Sequence, residues 1–292
     1  MPTSTVTEHA RLLSWYADHR RDLPWRAENV DPWAVLVSEV MLQQTPVVRV
    51  LPTYDAWMRR WPTPSALAAD SQGEAVRMWG RLGYPRRALR LHAAATAIEA
   101  EHHGVVPSDY DRLRRLPGVG DYTANAVRAF AYRRRAVVLD TNVRRVLGRW
   151  LGGEQFPAPA VTAVERRRAE SVLPTGDETA ATWSVGLMEL GALVCTARRP
   201  RCETCPLVST CRWKLLGHPA YDGPPRRGQA YAGTDRQCRG LILAVLRESH
   251  HPVSAADVRA VWSDSEQRDR ALASLLADGL VVRRRDDQLA LP

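Results

Sequence analysis

The sequence predicts an all-helical protein with a metal-binding loop and a small separate module at its C-terminal end. Three observations carry that expectation. Apolar residues recur at helical spacing along most of the 292 residues, while strand alternation is nearly absent. Four cysteines fall close together as Cys195-x6-Cys202-x2-Cys205-x5-Cys211. Between Gly217 and Gly233 the composition turns to Gly, Pro, Arg and Tyr, which marks residues 217–234 as a linker.

The elements follow in order. Residues 8–22 read as an amphipathic helix that turns Leu12, Leu13, Trp15 and Tyr16 inward. Asp31-Pro32 opens a second helix in which Trp33, Val35, Leu36, Val37, Val40, Met41 and Leu42 leave almost no polar face, so it is buried. Helical patterns continue over 47–60, 64–69, 72–80 and 85–102, then through a tight pair after Ser108, and over 141–150, 160–172 and 177–193. Beyond the linker, 236–249, 254–262 and 266–278 read as helices, and 279–285 and 288–291 as two short strands. That order suggests a winged-helix-like module over 235–292. A small packing domain without a ligand is the plainer alternative.

Charge narrows the function classes. Lys plus Arg is 41 against 32 acids, for a net charge of +9 and a pI near 9.8, which suits a polyanionic partner. No apolar run approaches the roughly 20 residues of a membrane span. The first helix carries Glu8, Arg11 and Asp18 where a signal peptide would be apolar, so a cytoplasmic location is expected. Lys214 is the one lysine in the sequence, which leaves imine chemistry a single side-chain candidate.

Two carboxylates and a turn carry the chemistry. Leu116-Pro117-Gly118-Val119-Gly120 joins a helix capped by Ser108 or Asp109 to one that Asp121 can cap. Gly118 and Gly120 leave the turn bare, and the unpaired N-H groups of the second helix suit a phosphate; an ordinary helix connection fits as well. Glu39 has Val35, Leu36 and Leu42 as helical neighbours, so its charged form is poorly solvated and its proton is held more tightly. An arginine partner would remove that effect. Asp140 precedes Thr141-Asn142-Val143 as a helix cap, and backbone N-H groups are expected to keep it ionised. One protonated and one ionised carboxyl is the pair that breaks a glycosidic bond. The cysteine spacing in a cytosolic protein points to a metal, with zinc and an iron-sulfur cluster both open. Cys238 lies apart, in the tail, as a free thiol.

The Leu116–Gly120 turn with Tyr122 and Asp140 resembles the helix-hairpin-helix DNA glycosylase superfamily. Ser38-Glu39-Val40-Met41-Leu42-Gln43-Gln44-Thr45 is similar to the signature of its MutY branch, the adenine glycosylases. The likeness spans about Trp15 to Trp213. It implies a two-lobed fold: 1–27 with 137–216 as the lobe that holds a [4Fe-4S] cluster on the four cysteines, and 28–136 as a six-helix barrel with the hairpin. It implies a monomeric, nucleoid-associated enzyme of the bacterial type acting on double-stranded DNA, at adenine opposite 8-oxoguanine or guanine. Glu39 would protonate the adenine ring and later assist the attacking water, while Asp140, with Asn142 beside it, faces the cationic sugar. Gln44 and Tyr84 would wedge beside the opposing purine, with Leu42 and Gln43 next to them and Thr45 touching it. Arg21, Trp25, Arg26 and Glu189 would border the adenine. Tyr122 stands where strand-nicking relatives carry a lysine, so activity should end at an abasic site.

The sequence departs from that branch in two places. Pro85 replaces a usual second tyrosine, and the tail is too short for a MutT-like lesion-reading domain. Two alternatives remain: a thymine glycosylase for T·G mismatches in the same superfamily, and an iron-sulfur winged-helix regulator that binds DNA without cutting it.

Overall fold

A computed structural model describes residues 3–223 and 231–292, and the middle of the expected linker, 224–230, lies outside the described residues. The described chain is overwhelmingly helical, with one short antiparallel pair of strands. No helix among the described residues is long and apolar enough to cross a membrane. The chain divides into two compact units, residues 1–35, 108–114 and 119–224 in one, and 36–107, 115–118 and 225–292 in the other. This division differs from the expected lobes: residues 28–35, 108–114 and 119–136 join the first unit, and the C-terminal module joins the second.

The first unit contains α1 (Thr3–His19), α8 (Asp121–Phe130), α9 (Thr141–Leu147), α10 (Ala163–Ser171), α11 (Asp177–Leu193) and α12 (Arg212–Leu215). Both α1 and α9 pack on α11, burying Leu12, Val143, Trp150, Trp183 and Leu190 in one apolar cluster. Because α8 also packs on α11, it belongs with this unit. The first helix starts earlier than expected and stops at His19, before 22. Beyond it, the Arg21 backbone N-H donates to the distant Glu189 carboxylate (2.9 Å) instead of to a helical carbonyl. The expected helix 141–150 likewise stops at Leu147, and Gly148–Gly152 forms a wider π turn.

The second unit holds α3 (Val47–Arg60), α4 (Pro64–Ala68), α5 (Gln72–Trp79) and α6 (Arg86–His102), with α4 and α5 packed on α6. Trp57 meets Trp61 and Trp79 edge to face, with ring centroids 4.6 and 5.8 Å apart, a geometry aromatic pairs favour. The tail adds α13 (Asp235–Glu248), α14 (Ala255–Ala260) and α15 (Ser265–Ala277), then β1 (Val282–Arg283) and β2 (Leu289–Ala290). β1 pairs with β2, and Val253 bridges to Leu289 on the other side. Three helices followed by one pair of short strands is the order of elements expected beyond the linker. Cys238 is buried in it as a free thiol.

The module is fastened to the helical body of its unit. Arg77 Nη1 donates to the carbonyls of Leu246 (3.3 Å), Arg247 and Ser249 (2.7 Å), closing the end of α13. Arg247 returns a bond to the Val76 carbonyl (3.2 Å), and Asp278 pairs with both Arg86 (3.1 Å) and Arg239 (2.6 Å). Carbonyls that end a helix need donors, and arginine supplies several from one side chain.

The helix that carries Glu39, α2 (Pro32–Leu42), crosses from one unit into the next. Asp31 caps it through the Trp33 N-H (2.7 Å), and Trp33, Leu36, Val37, Ser38 and Met41 are completely enclosed.

Candidate active site

The hairpin forms at the expected turn. α7 (Tyr110–Arg115) is capped by Asp109, whose carboxylate takes the Arg112 N-H (3.0 Å), and α8 follows after Leu116–Gly120. Gly118 has φ +80°, and a Cβ there would lie 2.8 Å from Arg90 Cβ, so both backbone and space require glycine. Gly120 has an ordinary φ of −87°, and a Cβ there would meet only Arg114 Nη1, at an unstrained 3.9 Å. The cap of α8 corrects the sequence expectation. Gly120 holds the cap position, and Asp121, one residue inside, instead accepts from Tyr110 (2.7 Å), Asn125 (3.2 Å) and Arg166 (3.1 Å). Tyr122 packs half-buried against Ala126, Ala129, Ala136 and Val138.

Asp140 ends the Ala136–Leu139 run and caps α9. Its Oδ1 accepts from the Val143 N-H (2.6 Å) and its Oδ2 from Asn142 Nδ2 (2.8 Å). The capping N-H groups are expected to keep it ionised, and desolvation works against them. Burial pushes the Asp140 carboxyl above the usual range and outweighs the opposing bonds from Val143 and Asn142 and the charge of Arg145. Behind it, Arg145 donates to Asn142 Oδ1 (2.7 Å), to the Gly191 carbonyl (2.7 Å) and to the Cys195 carbonyl (2.7 Å). Gly191 lets α9 and α11 approach this closely, since a Cβ there would sit 2.7 Å from Asn142 Cβ.

Arg21, Arg26 and Glu189 converge. Glu189 is fully buried; Arg21 Nε and Nη2 grip its two oxygens (2.8 Å each) and Arg26 Nη2 adds a third bond (2.9 Å). Burial alone would raise this carboxyl, but the two arginines bring it down to about 2. Arg26 Nη1 is buried with no hydrogen-bond partner among the described residues. Trp25, in the turn Pro24–Arg26, is enclosed as core.

The four loop cysteines are half-buried, and Cys195, Cys205 and Cys211 pack on the apolar cluster of the first unit. Burial first, then the charges of the neighbouring thiols, pushes Cys202 and Cys211 up and Cys205 to about 12. Thiols that suppress one another's ionisation in this way become thiolates when a cationic centre sits among them. Arg149 holds the loop in shape, donating to Cys195 Sγ (3.4 Å) and to the Thr196 (2.7 Å) and Ala197 (3.1 Å) carbonyls. Among the described residues no three His, Cys, Asp or Glu side chains converge enough to share one metal ion. The donor set suits an iron-sulfur cluster, which when bound staples the loop to the helices.

In the second unit Glu39 is 5% exposed. The turn after its helix holds Leu42 and Gln43 half-buried and Gln44 exposed, the last in left-handed backbone with φ +55°. Thr45 is engaged within the protein. It is buried, its hydroxyl reaches the Leu82 carbonyl (3.2 Å) and accepts from Arg87 (3.0 Å), so it shapes the turn itself. Tyr84 is 42% exposed at φ +47°.

Arg87 is the residue that sequence reasoning missed. Buried in α6, it donates to the carbonyls of Val40 (2.7 Å), Met41 (3.0 Å), Gln43 (2.7 Å) and Gly83 (3.0 Å) as well as to Thr45. One guanidinium thereby ties the end of the Glu39 helix to the loop that carries Tyr84. Burial pulls it down to about 10, which still leaves it charged at neutral pH. A signal existed: Arg87 is in helical phase with Leu91, Ala94 and Ile98, all enclosed, and a charge on an apolar stripe demands partners.

The comparisons with known proteins give the family. Residues 37–172 match the family model of the HhH-GPD superfamily of base excision DNA repair proteins, and 195–211 match the iron-sulfur binding domain of endonuclease III. The cysteine loop thus carries the [4Fe-4S] motif of that family. An adenine DNA glycosylase from Mycobacterium tuberculosis is 54% identical over 295 residues, covering 100% of this chain and 96% of the relative. A thymine-DNA glycosylase from Aeropyrum pernix is 36% identical over 69% of this chain and 91% of its own. The solved structure of a thermostable thymine-DNA glycosylase superposes with a TM-score of 0.64 at 26% identity, over 72% of this chain and 97% of that one. The likeness to the adenine relative alone among these extends through the C-terminal module, and on it the chain belongs to the adenine DNA glycosylases of the helix-hairpin-helix base excision repair superfamily.

Proposed function

We propose that this protein hydrolyses the N-glycosidic bond of adenine paired with 8-oxoguanine or guanine in double-stranded DNA, working as a monomer and leaving an abasic site. The observation that carries this reading is the Arg87 lock. It fixes two exposed side chains able to stack, Gln44 and Tyr84, at the end of the helix that buries an acid, Glu39. A base must leave the stack before it can be cut, and amide and aromatic groups fill the space it vacates.

Chemistry then divides between two carboxyls. Glu39 gives its proton to a ring nitrogen of adenine as the bond to the sugar breaks and the electron pair passes to the base. Asp140 faces the oxocarbenium-like sugar, and water drawn by Glu39 completes the exchange. Arg21, Arg26 and Glu189 form a rigid charged wall for the extruded base. The bare turn at Gly118 and the N-H groups opening α8 hold phosphate, and the arginine-rich surface makes binding salt-sensitive. Tyr122 brings no amine, so no imine with the sugar forms there.

The test is excision on end-labelled duplexes carrying A opposite 8-oxoguanine, A opposite G and T opposite G. Cleavage of the adenine strand after alkali, and none without it, is expected. Cleavage of the thymine strand instead would assign the thymine chemistry, no cleavage would favour a non-catalytic DNA binder, and nicking without alkali or heat would overturn the assignment of Tyr122. Tyr122→Lys should gain nicking without alkali.

A further inference from the structure

Tyr84 is a large ring left 42% exposed, in left-handed backbone directly after Gly83, and two guanidinium groups meet it. Arg87, 5.6 Å from the ring centroid, belongs to the lock already described. Arg236, at 5.0 Å, comes from α13, the first helix beyond the linker. Arg236 is exposed and enters no ion pair among the described residues, so its donors are open to a ligand. Its position is built: the far end of α13 is closed by Arg77, Arg247 bonds back to Val76, and Asp278 clamps Arg239 and Arg86. The C-terminal module is thus held so that one arginine reaches the ring assigned to the wedge.

We propose that Arg236 is a specificity-determining residue that lets the module distinguish 8-oxoguanine from guanine opposite the excised adenine. This rests on the reading of Tyr84 as the wedge beside that purine. A guanidinium carries donors and no acceptor, and stacking on an aromatic face orients its planar fork before the ligand arrives. At position 8 the lesion has a carbonyl oxygen where guanine has a hydrogen. A donor group fixed beside the wedge therefore gains a bond with the lesion that guanine cannot return, the asymmetry on which strong discrimination depends.

The experiment measures single-turnover adenine excision from A·8-oxoguanine and A·G duplexes by purified full-length protein. It compares wild type, Arg236→Ala, Arg236→Lys and Arg259→Ala, the last removing the same charge from elsewhere on the module. Wild type is expected to prefer the lesion duplex, and Arg236→Ala to reduce that preference by about fivefold to a hundredfold, the worth of one good base contact. Arg236→Lys should restore part of it, and Arg259→Ala should leave it unchanged, with thermal melting confirming that all four proteins fold. A preference unchanged within about twofold in Arg236→Ala, an equal slowing on both duplexes, or a wild type without preference would overturn the proposal. Failure of wild type to excise adenine from either duplex would instead remove the reading of the site on which it rests.

Discussion

Two carboxylates of the first unit, Glu189 fully enclosed and Asp140 half-buried, are shifted in opposite directions, and the contrast shows what desolvation does alone and in company. Glu189 has two arginines on its oxygens and is held down to about 2. Asp140 has an N-H, an amide and only a more distant arginine charge, and its carboxyl is pushed up. Depth raises both, and direct ionic partners reverse the sign in one. The two suit different tasks: Glu189 is a fixed counter-ion, whereas Asp140 is a strained anion whose charge a cationic sugar would relieve.

The sharpest way to break this contrast is Glu189→Gln. It leaves two arginines without their counter-ion, and should cost about 3 kcal/mol, toward the lower end for a buried pair because Arg21 keeps 34% of its side chain exposed. The pH dependence has a definite sign. A carboxyl lowered on folding contributes stability above its unfolded value and loses it as pH falls toward the folded one, so wild type should weaken between about 4.5 and 2. The variant should lose that acid limb, as read by thermal melting across pH.

Gly191→Ala tests the wall behind Asp140. Its methyl must displace Asn142 at 2.7 Å, for about 1–3 kcal/mol of overpacking, and it should slow adenine excision by moving the Asn142 amide off Asp140. A variant with unchanged melting and rate would show that the helix contact is looser than drawn.

Asp140→Asn should have the smallest effect on stability. Asparagine caps as well as aspartate, and the substitution removes a buried charge, so at pH 7 the variant should melt within about 1 kcal/mol of wild type and not below it by more. The sign is the reverse of that for Glu189. A carboxyl raised on folding favours the folded state below its unfolded pKa, and that contribution is lost as pH rises through the folded value. A large loss of stability at pH 7 would mean that the anion is well paired and the contrast false.

Much of this was legible in the sequence, because period, caps and glycines act locally. α3 matches its expected bounds, α11 does as well, and the buried Glu39 follows from its apolar neighbours alone. The cysteine spacing announced a metal loop. What escaped depends on contacts between distant positions. Arg145 reaches Gly191 and Cys195, Arg87 reaches Val40 and Gln43, and Arg236 reaches Tyr84, each across 40 residues or more. Asp140 was placed correctly as a cap, but its titration depends on depth that spacing does not reveal. Asp121 was misread because glycine can occupy a cap position and free the next side chain for other bonds.

The central claim is that Glu39 lends a proton and Asp140 its charge to one extruded adenosine. Single-turnover excision from an A·8-oxoguanine duplex by wild type, Glu39→Gln and Asp140→Asn tests it most directly, with duplex affinity measured alongside. Each variant should bind DNA while excising at least about a hundredfold more slowly, the scale for losing a proton donor or an electrostatic stabiliser. A rate within about threefold of wild type for either variant would contradict the account.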